Sequence, residues 1–198
     1  MFRFFETIKI VDGEIQHPEY HQKRIDETLR YNYHKSNVFN LKNLILLPEE
    51  YKTGIIKCRF DYNSEIHLVH FSKYILKKVE SLKLINGDDI DYRFKYYDRS
   101  SIEKLLIQKE ECDDILIVKN NKITDTSFTN IVLFDGRKWF TPEEPLLNGT
   151  CRQRLISEDR IEAKPIYVEN LKIYQRFVLI NAMRGEDFKN PVDISAIK

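Results

Sequence analysis

An α+β fold divided into two lobes, at residues 1–78 and 79–198, is predicted by three features of this chain. A strand–turn–strand pattern opens it, an amphipathic helical stretch follows at once, and past residue 78 the sequence changes to a run of short strands broken by helical segments. In the opening stretch, MFRFFETIKI and VDGEI are β-formers around Asp12-Gly13, a dipeptide that accepts positive φ, so a hairpin is expected. Pro18 suits the first turn of a helix, and EYHQKRIDETLRYNY spaces Tyr20, Ile25, Leu29 and Tyr33 by five and four. A second, weaker helical run lies in LKNLILLPEE. GIIKCRFDY and EIHLVHFSKY then read as strands joined across Asn63 and Ser64.

In the second lobe, SLKLI and YRFKYY read as extended, SIEKLLIQKE as helical, and DDILIVKN, KIT and TNIVLF as strands separated by turn residues such as Asn120-Asn121. Asp135-Gly136 marks another hairpin leading into KWFTP. LLNGT precedes a short helix over TCRQRLISE, and RFVLINAM has the composition of a buried strand. The larger lobe, on this reading, carries the lysine of YRFKYY.

Lys and Arg number 32 against 31 Asp and Glu, a net charge of +1, which provides no broad field to recruit nucleic acid or an anionic membrane. The longest apolar runs are far shorter than a membrane span. Cys58, Cys112 and Cys151 are odd in number and widely spaced, and the first ten residues lack a signal peptide's apolar core, so reduced thiols in a cytoplasm are expected. A small-molecule or protein partner is the expectation that remains.

The stretch DYRFKYYDRS places Lys95 between Phe94 and Tyr96. If residues 92–97 form a strand, alternation sends Phe94 and Tyr96 to one face and Lys95 to the other with Arg93 and Tyr97. A solvent-facing lysine and a cleft lysine made nucleophilic by desolvation and neighbouring cations both satisfy that pattern. In LLNGTCRQR, Gly149 before Thr150 at a helix start would let backbone N–H groups and a hydroxyl approach an anion, although an ordinary helix cap looks the same. In ITDTSFTN, Asp125 is followed by Thr126, Ser127 and Thr129, a grouping typical of turns, yet an acid there could also hold a pyridine nitrogen protonated. His67 and His70 differ by three, which on a strand points them to opposite faces and argues against a shared metal. His21 and Arg24, also three apart but on a helix, share a face, either as a surface pair or with the arginine aimed at a phosphate.

In order along the chain, FETIKIVDG, HQKR, FKYYDR, ITDTSFTNI, TPEEPLLNGTCR and LINAM resemble the motif series of class IV aminotransferases, the fold-type IV pyridoxal-phosphate enzymes that include D-amino-acid aminotransferase-like proteins. The resemblance implies pyridoxal 5'-phosphate as cofactor, with Lys95 as the lysine that joins it and later moves protons, and Arg24 as a phosphate ligand. It likewise implies that Gly149 and Thr150 form the phosphate-cradling turn, that Thr126 and Ser127 line the cofactor pocket, and that Asn181 and Ala182 lie beside the phosphate. Asp125 stands where the family usually has a glutamate contacting the pyridine nitrogen, one methylene longer. The first lobe is short against the family pattern, so some substrate-side contacts are expected to be missing.

Within this family the Phe5-Glu6-Thr7 stretch and Asp98-Arg99 resemble aminodeoxychorismate lyases more than aminotransferases. The implied reaction converts 4-amino-4-deoxychorismate to 4-aminobenzoate and pyruvate, in folate biosynthesis, with Thr7 offering a hydrogen bond to substrate. An aminotransferase acting on branched-chain or D-amino acids, and a non-catalytic homologue, are the alternatives. The resemblance also implies a homodimer acting on a small-molecule amine, and the near-zero net charge and short apolar runs make nucleic acid and membrane unexpected as partners.

Overall fold

A computed structural model describes residues 1–184 and 188–198, and its contacts group into two units. The first comprises Met1–Leu76 with Phe94–Asp98; the second comprises Lys77–Arg93 with Arg99–Lys198. Lys95 therefore belongs to the first unit, whereas the sequence reading placed it in the lobe beginning at residue 79.

In the first unit, β1 (Phe4–Val11) turns back through Asp12 and Gly13, at φ of 46° and 85°, into β2 (Glu14–Ile15). Two successive positive φ values are the turn that matches strand twist. Helix α1 (Pro18–Tyr33) follows, then the single turn α2 (Leu41–Leu44), β3 (Ile55–Tyr62) and β4 (His67–Lys73). The strands form an antiparallel sheet in the order β2-β1-β3-β4. Phe4, Ile8 and Ile10 of β1 and Ile56, Cys58 and Phe60 of β3 are buried on one face with Ile25 and Leu29 of α1.

Residues 92–97 do not form the expected strand. A ladder needs consecutive pairs, and here a single antiparallel bridge joins Phe4 to Tyr96, bracketed by Phe5 N–H to Lys95 C=O (3.0 Å) and Tyr97 N–H to Arg3 C=O (2.8 Å). A tight turn, Tyr96 N–H to Phe94 C=O at 2.9 Å, bends the chain on the near side. The alternation survives without the ladder. Phe94 and Tyr96 both pack on Phe4, with ring centroids 6.2 and 5.5 Å away, while the Lys95 amine lies over the ring of Phe5.

The second unit is built on β5 (Leu82–Asn86), β6 (Asp114–Lys119), β7 (Lys122–Thr126), β8 (Asn130–Phe134), β9 (Trp139–Pro142), β10 (Glu162–Lys164), β11 (Arg176–Ile180) and β12 (Val192–Asp193). Their order is β10-β9-β8-β7-β6-β5, with β11 joined to β8 and carrying β12. β6 and β7 make a hairpin through Asn120 and Asn121, both at positive φ. β7 and β8 meet at one pair, Asp125 opposite Asn130. Helix α3 (Ser100–Leu106) runs on into a 3-10 turn, and α4 (Thr150–Ser157) seats Cys151 and Leu155 on Val132, Val178 and Ile180.

Phe4 joins the sheet core to the segment that carries Lys95, and it is fully buried. Phe4→Ala is expected to destabilise the protein by about 3–5 kcal/mol in urea titration, from lost burial plus an unfilled cavity. A cost below about 1 kcal/mol would mean that the aromatic cluster does not hold this segment.

Candidate active site

β1 presents opposite side chains to its two faces, and both faces carry chemistry. On the core face, among Phe4, Ile8 and Ile10, stands the carboxylate of Glu6, with no exposed surface. Helix α1 turns His21 and Arg24, one helical turn apart, towards it. Arg24 Nε and Nη2 donate to the two carboxylate oxygens at 2.7 and 2.5 Å, and His21 Nδ1 lies 2.7 Å from the second oxygen. Burial alone would raise the Glu6 carboxyl, but the Arg24 charge and the hydrogen bonds from His21 and Arg24 outweigh it and hold the group at about 2. Burial lowers His21, and because an ionised carboxylate can only accept, Nδ1 is the donor to Glu6. The shared face of His21 and Arg24 is thus an internal one. The arginine expected at a phosphate makes a bidentate ion pair with Glu6.

The other face of β1 carries Phe5 and Thr7. The Lys95 amine lies 4.5 Å from the Phe5 ring centroid, and the Arg59 guanidinium lies 4.2 Å from the same centroid. Register places Arg59 opposite Thr7 and Asp61 opposite Phe5, and Arg59 Nε donates to Asp61 at 2.6 Å. Lys95, Thr7 and Arg59 therefore occupy one side of the sheet, with the amine and the guanidinium over the Phe5 ring and Thr7 two residues along the same face. Such a group can engage an aldehyde and a carboxylate together.

In the second unit, Asp125 is buried on β7. Its Oδ1 accepts from Asn130 Nδ2 at 2.7 Å and its Oδ2 from the Leu147 amide at 2.8 Å. Burial pushes its carboxyl up to about 6, against the pull of the Leu147 amide, Asn130 and the Arg152 charge. The same Asn130 Nδ2 donates to the Leu147 carbonyl at 2.9 Å. Leu147 leads through Asn148 to Gly149 and Thr150, where α4 begins with no side-chain cap on its first amides. Uncapped amides behind a glycine suit an anion. A Cβ at position 149 would stand 2.1 Å from Asn130 Oδ1, so any side chain there would have to displace the Asn130 amide from its hydrogen bonds. These residues fit a cofactor bearing both a basic ring nitrogen and a phosphate.

Thr126 spends its hydroxyl locally, 2.7 Å from that of Thr129, in a turn closed by Thr126 N–H to Thr129 C=O. The Ser127 carbonyl accepts from Arg99 at 2.6 Å. Asn181 reaches the same turn through Nδ2 to the Phe128 carbonyl at 3.4 Å, while its Oδ1 accepts from the amides of Met183 and Arg184, folding half-buried Ala182 into a second turn. Asp125, Thr126, Ser127 and Asn181 are therefore gathered by β7, β8 and the end of β11, with Gly149 and Thr150 tied in through Asn130.

The amino-transferase class IV profile matches residues 94–186. An uncharacterized protein of Haemophilus influenzae is 41% identical over 187 residues, covering 93% of this chain and all of that one. A crystal structure from Haemophilus somnus, provisionally named a 4-amino-4-deoxychorismate lyase, is 37% identical, with a TM-score of 0.86 over 93% of this chain and 98% of its own. A hypothetical aminotransferase from Mycobacterium tuberculosis, solved with pyridoxal phosphate bound, superposes at a TM-score of 0.77 over 99% and 81% at 16% identity, a likeness of fold. The chain belongs to the class IV aminotransferase family and has the fold of the fold-type IV pyridoxal-phosphate enzymes. Among the described residues no helix is long and apolar enough to cross a membrane.

Sequence reasoning missed Glu6, Arg59, Asn130 and Arg152 as parts of these constellations. Alternation carried a signal for the first two. Glu6 falls on the Phe4-Ile8-Ile10 side of its strand, where a carboxylate demands a cation, and Arg59 falls opposite the Ile56-Cys58-Phe60 side.

Glu6→Gln leaves Arg24 buried beside a neutral partner and is expected to cost about 3–5 kcal/mol at neutral pH. The folded-state carboxyl is depressed, so its contribution is complete above 4.5 and is lost as pH falls towards about 2. His21, lowered from 6.5 by burial, adds a loss of the same sign that begins at higher pH. Denaturation midpoints measured against pH should fall steeply between 4.5 and 2 in the wild type and less steeply in Glu6→Gln. Parallel curves would show that the carboxylate is not held by these partners.

Proposed function

We propose that this protein is a pyridoxal-phosphate-dependent lyase that converts 4-amino-4-deoxychorismate to 4-aminobenzoate and pyruvate. The observation that carries the reading is the likeness to the Haemophilus somnus structure, 37% identical across 93% of the chain, whose provisional name is that of this lyase. The face of β1 bearing Phe5 and Thr7, with Lys95 and Arg59 laid over it, supports it from the chemistry side.

Pyridoxal phosphate, when bound, supplies the electron sink for the pair left behind as substrate loses a proton. Lys95 brings the amine that anchors the cofactor's aldehyde. As a free amine Lys95 would take the proton from the substrate carbon bearing nitrogen, as a positioned general base. The bond from the ring carbon to the enolpyruvyl oxygen then breaks as the ring becomes aromatic, and the released enolpyruvate takes the proton held by Lys95 on its methylene carbon to become pyruvate. Arg59 orients a substrate carboxylate, and the Thr7 hydroxyl, on the opposite strand position, donates a hydrogen bond to substrate. In the second unit Gly149 and Thr150 would hold a phosphate, and Asp125, whose carboxyl burial raises to about 6, would stabilise a protonated ring nitrogen.

The family's own activity is the second reading, since the profile over residues 94–186 is that of aminotransferases. Pyruvate formed from aminodeoxychorismate with no keto acid added supports the lyase. Conversion of the bound aldehyde to its amine form by an amino acid donor supports transamination.

With the protein saturated with pyridoxal phosphate, borohydride reduction and peptide mapping are expected to place the adduct on Lys95. Lys95→Ala should lose that adduct and slow pyruvate release by about 10²–10⁴-fold or more, the usual contribution of a positioned acid–base group. Pyruvate release from Lys95→Ala at the wild-type rate would refute the mechanism.

A further inference from the structure

Gly149 poses a question that its backbone does not answer. At φ −63° and ψ 144° it has an extended conformation open to any residue, so no left-handed geometry calls for glycine. The demand comes from Asn130, whose Oδ1 lies 2.1 Å from where a Cβ would stand. Asn130 is itself buried at the start of β8, and its Nδ2 is shared between Asp125 Oδ1 and the Leu147 carbonyl. The Leu147 amide returns to Asp125 Oδ2, so one residue is gripped at both its N–H and its C=O. Arg152 braces the turn from α4, with Nη1 on Asn148 Oδ1 at 2.8 Å and Nη2 on the Pro142 carbonyl at 2.7 Å.

We propose that Asn130 is a positioning residue that sets the anion-receiving turn Leu147–Thr150 and the carboxylate of Asp125 together, so that the phosphate end and the ring end of the cofactor are registered by one side chain. This rests on the reading that Gly149 and Thr150 receive the cofactor phosphate. It also explains how a short acid serves at position 125: its orientation is set by Asn130 and the Leu147 amide, and the turn is drawn to it.

The test compares pyridoxal phosphate with pyridoxal, which lacks the phosphate. Both are titrated into wild type and Asn130→Ala by absorbance, with thermal unfolding followed in parallel. Asn130→Ala is expected to weaken pyridoxal phosphate by about tenfold or more, the effect of losing one or two buried hydrogen bonds, and pyridoxal by clearly less. Should Asn130→Ala not fold, Asn130→Ser is measured in the same way. A wild-type preference for the phosphorylated form that persists in the variant would overturn the inference and leave the proposed function standing, whereas a wild type that binds no pyridoxal phosphate would overturn the functional reading itself.

A double-mutant cycle adds a readout independent of the cofactor. Gly149→Ala is expected to lower the unfolding temperature strongly in the wild-type background and much less in Asn130→Ala, where the opposing amide is gone. Additive effects would show that Asn130 does not shape the turn.

Discussion

A carboxylate cut off from water has to find its counter-charge inside the protein, and Glu6 imposes that requirement on the whole first unit. Its place on β1 decides which side of α1 turns inward. A helix presenting only Ile25 and Leu29 could rotate somewhat and still bury them, but one that must also deliver Arg24 and His21 to the same two oxygens has a single orientation. That orientation, with the strand's strict alternation, leaves Phe5 and Thr7 on the opposite face. It is there that Lys95 and Arg59 are found. The buried ion pair thus does its work for the site by settling the two sides of one strand.

The second unit holds its own buried acid by a different means. Glu6 is matched by a guanidinium in direct contact, and its proton is driven off far into the acid range. Asp125 is held mainly by an amide side chain and a backbone N–H, with Arg152 acting through its charge, and its carboxyl rises to about 6. An acid balanced in this way responds to a neighbouring charge, which suits a partner for a basic ring nitrogen. The ion-paired one has no such freedom and serves as scaffold.

Much of the fold was legible in the residues themselves. The Asp12-Gly13 hairpin, the helix from Pro18 and the short helix after Gly149 are local patterns, each written in a few neighbouring side chains. The segment around Lys95 was misread as a strand because its aromatic residues favour extended backbone, whereas its hydrogen bonds go to one bridge on β1 and to a tight turn. Lys95, Asp125 and Gly149 stand out in the sequence because ordered motifs mark them. Asn130 escaped since its importance is a distance to a residue nineteen positions later, and nothing in local propensity encodes that.

The five residues Phe94–Asp98 are packed with the first unit while the chain on both sides of them is packed with the second. Neither unit is consequently one uninterrupted piece of polypeptide. On a ribosome, β1 to β4 emerge before the segment whose Phe94 and Tyr96 close over Phe4, so the nascent sheet has part of its aromatic core uncovered until that segment follows. A gene fragment ending at Leu76 would encode the sheet without the amine-bearing segment, and one starting at Lys77 would carry that segment without the strand it pairs with. A cut between residues 76 and 77 therefore parts the lysine from its seat, and only a chain running through Asp98 carries both.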